Sequence, residues 1–308
     1  MKQFIYPLAV LLGGACFGVL STFVKLAYEQ GFNLAQVTGG QFIIGTILIW
    51  FLVLISKKRT VTFKRFSQLV LGGIPMALTG IFYYQSLQTL DASLAIIFLF
   101  QFVWVGTLLE YLLDKKKPSK NKMSAILLLI IGSVLAAGVL SSGFEKLALS
   151  GAIWGILASI SFSSFAYVSG RVGAELPPIQ RSAIFATGGL ITTLLIFPPV
   201  FLFEPSTVIS LAPYGLFLGI FGVTLPPLLF AIGMPHVGTG LGTILSSSEL
   251  PVALLMSILI LQEQVAWIQW LGVLIISIGI VIGNISLLPK AKRPPHKQSP
   301  ESTTMSAS

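Results

Sequence analysis

The chain has 308 residues, of which 55% are hydrophobic and only 9% charged, whereas a soluble globular domain carries charge on about 25% of its positions. That balance excludes water as the main solvent, and apolar runs of about 18 residues or more recur along the whole length, each enough to cross a ~30 Å hydrocarbon layer. The net charge of +9 does not point to nucleic acid, because the basic residues fall in short clusters between apolar runs and not in a patch interleaved with aromatics.

The first apolar run covers residues 5–26 and contains Cys16, the single cysteine, so neither an internal disulfide nor a CxxC metal site can form. Only Lys2 precedes it, and Gly13-Gly14-Ala15-Cys16 lacks the branched residue of a lipoprotein cleavage site. The run is therefore expected to stay in place as span one. Spans two to five follow at 37–55, 67–88, 91–112 and 123–141; spans six to ten lie at 150–170, 181–203, 213–233, 238–261 and 266–288. Each fits one crossing at a rise of about 1.5 Å per residue. From Pro289 onward the sequence turns to Lys, Arg, Pro, Ser and Thr, too little apolar surface to order itself, so residues 289–308 are expected to form a disordered basic tail.

Basic residues in short loops stay cytoplasmic. With the N-terminus inside, all of the 19 Lys and Arg except Lys25 and Lys146 fall on the cytoplasmic side, which favours ten crossings with both termini inside. The chain also repeats at an offset of about 147 residues: Leu71-Gly72-Gly73 against Leu218-Gly219-Ile220, Leu94-Ala95-Ile96 against Leu241-Gly242-Thr243, Ile131-Gly132-Ser133 against Ile278-Gly279-Ile280, and Lys25 against Arg171. Five spans per repeat is an odd number, so the second half enters the membrane upside down. The expected fold is all-α and polytopic, with ten transmembrane helices in two inverted five-helix repeats, 5–141 and 150–288, a recurrent plan of secondary transporters.

Gly18 and Lys25 in span one, Leu94 to Gln101 in span four, and Ser246-Ser247-Ser248-Glu249-Leu250-Pro251 in span nine resemble the EamA-type branch of the drug/metabolite transporter superfamily. Leu261-Gln262-Glu263 and Gln269-Trp270-Leu271-Gly272 extend the resemblance into span ten. The family usually has Glu and Pro adjacent, whereas Leu250 intervenes here. The resemblance implies a ten-helix carrier of metabolites, often an exporter, with a central cavity between the halves.

Among residues that can carry chemistry, Glu249 stands out, since an ionisable group at mid-bilayer costs about 2.5–3.5 kcal/mol on insertion scales. Pro251 cannot donate to the carbonyl of Ser247, which would free that oxygen near the carboxyl group, and the hydroxyls of Ser246, Ser247 and Ser248 add donors. A broken helix with polar groups at this depth marks a candidate substrate or ion site, with protons as a candidate coupling ion; a purely structural hydrogen-bonding role is the alternative. Gln101 and Trp104, three residues apart on span four, are further candidates for the cavity wall, against plain packing. Tyr83, with Tyr84, is a candidate for the same wall or for an interfacial aromatic belt. Pro75 and the pair Pro226-Pro227, on the repeat-related spans three and eight, are with Pro251 candidate hinges. Glu110 and Lys25 are expected to snorkel to headgroups, Lys25 and Glu29 to pair at i, i+4, and Asp91 to cap span four. Gly14 with Gly18, Gly151 with Gly155, Gly238 with Gly242, and Gly279 with Gly283 form small faces that serve packing inside the bundle or weak homo-oligomerisation.

No HExxH, GxSG or paired-Asp motif is present, and His236 is the one histidine before the tail, so no catalytic residue, metal or cofactor is expected. The absence of a GxxxxGK[ST] loop argues against an ATP-driven pump. The expected function is secondary active transport, in the export direction, of small organic metabolites or amphipathic compounds across the plasma membrane, with lipid as solvent. A channel or a non-transporting scaffold is the alternative.

Overall fold

The computed structural model describes residues 2–90, 92–136, 148–262 and 266–284, and every regular element among them is a helix. Span one consists of α1 (Lys2–Gly18) and α2 (Leu20–Glu29); span two is α3 (Leu34–Leu54) and span three α4 (Phe63–Ser86). Span four is divided into α5 (Ala92–Phe100) and α6 (Phe102–Asp114), and span five is α7 (Lys120–Ala136). In the second half, α8 (Leu149–Ser169) and α9 (Pro178–Ile196) are spans six and seven. Span eight joins α10 (Pro205–Leu218) to α11 (Leu225–Val237) through a π-turn at Gly219–Thr224. Span nine joins α12 (Thr239–Ser246) to α13 (Glu249–Leu261), and α14 (Trp267–Asn284) is span ten. Seven of these spans, one to three and six to nine, are long and apolar enough to cross a membrane. Asp91, Lys146, Glu263 and the tail 289–308 lie outside the described residues.

The helix ends have local causes. Asn33 and Gln36 form a reciprocal capping box at the start of α3, and Thr62 accepts from the Arg65 N–H at the start of α4, each satisfying donors that the first turn leaves free. Pro178 and Pro205 open α9 and α10, where a missing N–H costs nothing. Pro226 and Pro227 have no N–H to offer the carbonyls of Gly222 and Val223, and the backbone ahead of them widens into the π-turn. Pro75, the counterpart in span three, leaves α4 continuous.

The main helix packings recur when the two halves are exchanged. Span one packs on span eight as span six packs on span three; span two lies on eight as seven lies on three; span one meets nine as six meets four. Spans two and seven, four and nine, and five and ten pair with their own counterparts. Small residues set the closest crossings: a Cβ on Gly188 would strike the backbone of Val70 in α4, and one on Gly132 would lie 2.9 Å from the Gly272 carbonyl. Apolar side chains such as Ile47, Leu71, Leu195 and Ile209 are exposed around the outside, the arrangement expected where lipid is the solvent.

Candidate functional site

The break in span nine places Glu249 in the first turn of α13, where the helix dipole favours a negative group. Ahead of Pro251 the chain tightens into i, i+3 bonds: the Ser247 carbonyl accepts from the Leu250 N–H at 3.2 Å, and Ser248 N–H donates to Leu245. The carbonyl of Ser247 is therefore not freed, contrary to the expectation from the proline. Nor do the three hydroxyls serve Glu249. Ser246 and Ser247 donate to the carbonyls of Gly242 and Thr243 in their own helix, at 2.8 and 3.2 Å. Ser248 donates to the Leu11 carbonyl of α1 at 2.6 Å. A hydroxyl in an apolar helix finds its nearest acceptor one turn back, and this local bond takes the donors that the sequence pattern assigned to the acid.

Glu249 instead borders a cavity with about 540 Å³ of space between atoms, the way toward solvent included, lined mainly by Phe17, Gln41, Phe42, Tyr83, Tyr84 and Phe162. Met76, Thr79 and Gly80 complete the α4 side. The lining comes from spans one, two, three, four, six, eight and nine, hence from both halves. Tyr83 and Tyr84 are 6% and 1% exposed, so they belong to this wall and not to an interfacial belt. The Tyr84 hydroxyl donates to Gln41 Oε1 at 2.9 Å, and Tyr28 donates to the Tyr84 carbonyl. Gln41 is an intramembrane amide that sequence reasoning passed over, although a Gln inside the run 37–55 was a visible signal. Phe17, Phe42 and Phe162 carried no signal, because a cavity-facing and a lipid-facing Phe are equally apolar.

Gln101 and Trp104 do not line this cavity. The indole N–H donates to Gln101 Oε1 at 2.7 Å, and Trp104, 38% exposed, faces a shallow apolar recess with Tyr111, Pro118 and Met123 between α6 and α7. Gly14 and Gly18 pack on the break itself: a Cβ on Gly14 would lie 2.5 Å from the Ser246 carbonyl, and one on Gly18 would strike the Glu249 carbonyl. Gly151 and Gly155 lie against Leu90 and Phe98, Gly242 against Met234, and Gly279 and Gly283 against Leu129 and Ile244. These small faces are used within the bundle.

Two layers separate the cavity from the end that carries the basic loops. The first is an aromatic cluster in which Phe17 and Phe230 meet Phe162 and each other edge-on, Phe102 lies tilted against Phe162, and Phe165 stacks on Phe230. The second is polar. Arg171 pairs with Asp114, donates to Thr239 Oγ1 at 3.0 Å and lies 3.7 Å over the Tyr167 ring, whose hydroxyl donates to Asp114 at 2.9 Å. Glu110 is 6% exposed and does not snorkel. Its carboxylate accepts from the Gly240 N–H at 3.1 Å, capping α12, and pairs with Lys122 at 3.0 Å. Gly238, in the cap position with φ of +77°, has no side chain to do so. Arg181 is likewise buried, donating to the carbonyls of Ser169 and Ala231.

A polytopic helical bundle whose main helix packings recur between its two halves, with an acid at a helix break facing a cavity between them, is built as a membrane transporter. The comparisons agree: the chain belongs to the EamA-like transporter family, whose sequence profile matches residues 4–138 and again 149–285. It is 23% identical over 272 residues to the uncharacterized transporter YcbK of Bacillus subtilis (strain 168), across 85% of this chain and 87% of that one. A solved crystal structure shares the fold at a TM-score of 0.68 and 17% identity, covering 90% of this chain and 98% of that one.

Proposed function

We propose that this transporter is a secondary active carrier that exports small organic metabolites or amphipathic compounds across the plasma membrane by alternating access. In this reading residues 5–141 and 150–288 are the two moving repeats, and Pro226-Pro227 and Pro251 mark flexible points between helix segments. Both termini, the tail 289–308 and the loops at Lys57 and Lys115 are cytoplasmic, and Glu249 exchanges protons during the cycle. The export direction rests on the family resemblance. The observation that carries the carrier reading is the cavity at Glu249, drawn from both halves and separated from the basic end by an aromatic layer and an ion-pair layer. A channel needs a continuous wet path, and these layers argue against one; a scaffold needs no acid at mid-membrane.

Purified protein in liposomes tests this. Preloading with unlabelled solute should accelerate uptake of the labelled solute, and the flux should saturate. Flux that rises in proportion to concentration without stimulation from the opposite side would instead indicate a channel.

A further inference from the structure

The lining of the cavity has a chemical bias that names a substrate class. Five rings, those of Phe17, Phe42, Tyr83, Tyr84 and Phe162, share it with one carboxylate, Glu249. Among the described residues that line it there is no Lys, Arg or His. Of the polar groups at this wall, Gln41 Oε1 accepts from Tyr84, Thr79 donates to the Pro75 carbonyl and the three serines before Glu249 donate to backbone carbonyls, while the buried Tyr83 hydroxyl has no hydrogen-bond partner among the described residues. The Glu249 carboxylate thus has none of these hydroxyls as a donor.

Each class of solute meets this wall differently. An anion would face a carboxylate and the negative faces of the rings. A zwitterion would find a counter-charge for its amine but no cationic side chain for its carboxylate. A neutral solute would gain nothing from the negative charge that Glu249 can supply. A cation is attracted by both elements at once, since ring faces attract ammonium groups, by an amount that grows when water is excluded. We infer that the cavity binds amphipathic organic monocations, amines or quaternary ammonium compounds with an apolar body, with Glu249 as counter-ion and the aromatic side chains as the surrounding wall. This inference rests on the reading of the Glu249 cavity as the transport site.

Isothermal titration of the purified full-length protein with three ligands of similar size tests it. Benzyltrimethylammonium carries a fixed charge at every pH, phenylalanine is a zwitterion, and N-benzylacetamide is neutral. The cation is expected to bind at least tenfold more tightly than either of the others. Glu249→Gln should weaken cation binding at least tenfold and leave amide binding unchanged. Phe162→Leu, which removes a ring while keeping apolar volume, should weaken the cation more than the amide, and it stands in should Glu249→Gln fail to fold. No measurable cation binding, equal or tighter binding of phenylalanine or the amide, or full cation binding by Glu249→Gln would overturn the inference. Liposome counterflow separates the two readings. Counterflow of phenylalanine or the amide but not of the cation would reject the substrate class and leave the carrier standing. Tight, Glu249-dependent cation binding without counterflow would uphold the cation site and count against the carrier.

Discussion

Removing the carboxylate of Glu110 should loosen the join between spans four, five and nine by an amount that depends on what replaces it. The group does two jobs at once, capping α12 through the Gly240 N–H and pairing with Lys122. A helix cap is worth about 0.5–2 kcal/mol. The Lys122 side chain is 21% exposed against 8% for Glu110, so it can turn to water when its partner is lost, which limits the pair to about 1 kcal/mol. Glu110→Ala loses both interactions and leaves a small void, so about 2–4 kcal/mol of stability should go. Glu110→Gln keeps an acceptor for Gly240 and loses only the charge, so the loss should be about 1 kcal/mol or less. Reversible unfolding in mixed micelles, followed by circular dichroism, measures both. The reasoning fails if the two variants lose equal stability, or if the Ala variant loses less than about 0.5 kcal/mol, the value expected of a snorkelling side chain that makes no specific contact.

Three further outcomes are expected. Gly18→Val drives side-chain atoms into the Glu249 carbonyl and Val252, so it should cost about 1–3 kcal/mol of stability through overpacking and depress transport; wild-type thermal stability and flux would contradict the helix contact. In proteoliposomes, Glu249→Gln should retain counterflow at saturating substrate yet lose accumulation driven by a pH gradient, whereas full gradient-driven accumulation would end the proton-coupling proposal. In a Cys16→Ser background, an impermeant thiol reagent applied to intact cells should modify a cysteine at the exposed Gln30 and spare one at the exposed Ser119; the reverse pattern would invert the topology.

Hydropathy was enough to read the spans, because crossing a bilayer demands about 20 apolar residues whatever the neighbours are, and the repeat showed in matched Leu and Gly residues at a constant offset. Glu249 was legible for the same reason, as an acid in an apolar run. What surrounds it was not. The hydroxyls of Ser246 and Ser247 could turn toward the acid or back along the helix, and only the packed backbone decides. Glu110 near a helix end suits a snorkelling carboxylate as well as a cap, and the difference is made by Gly240, 130 residues away in sequence. Gln101 and Trp104 share a helical face, but periodicity does not say whether that face meets the cavity or α7. The cavity walls of Phe17, Phe42 and Phe162 were invisible because apolar residues look alike whether they face lipid, core or ligand.

The account turns on access to the Glu249 cavity from one side at a time. Its lining draws on the later part of α4, at Thr79 to Tyr84, and the earlier part of α3, at Gln41 and Phe42, and so lies in the half of the bundle away from the basic loops. A single cysteine at Thr79, in Cys16→Ser protein reconstituted with known orientation, reports that access directly. An impermeant reagent should reach it from the side opposite the basic loops in the resting protein. Combining it with Asp114→Asn and Arg171→Gln, which removes the Asp114–Arg171 pair from the polar layer, should shift labelling toward the basic side. Equal labelling from both sides in the resting protein, or labelling indifferent to loss of the Asp114–Arg171 pair, would contradict alternating access through this cavity.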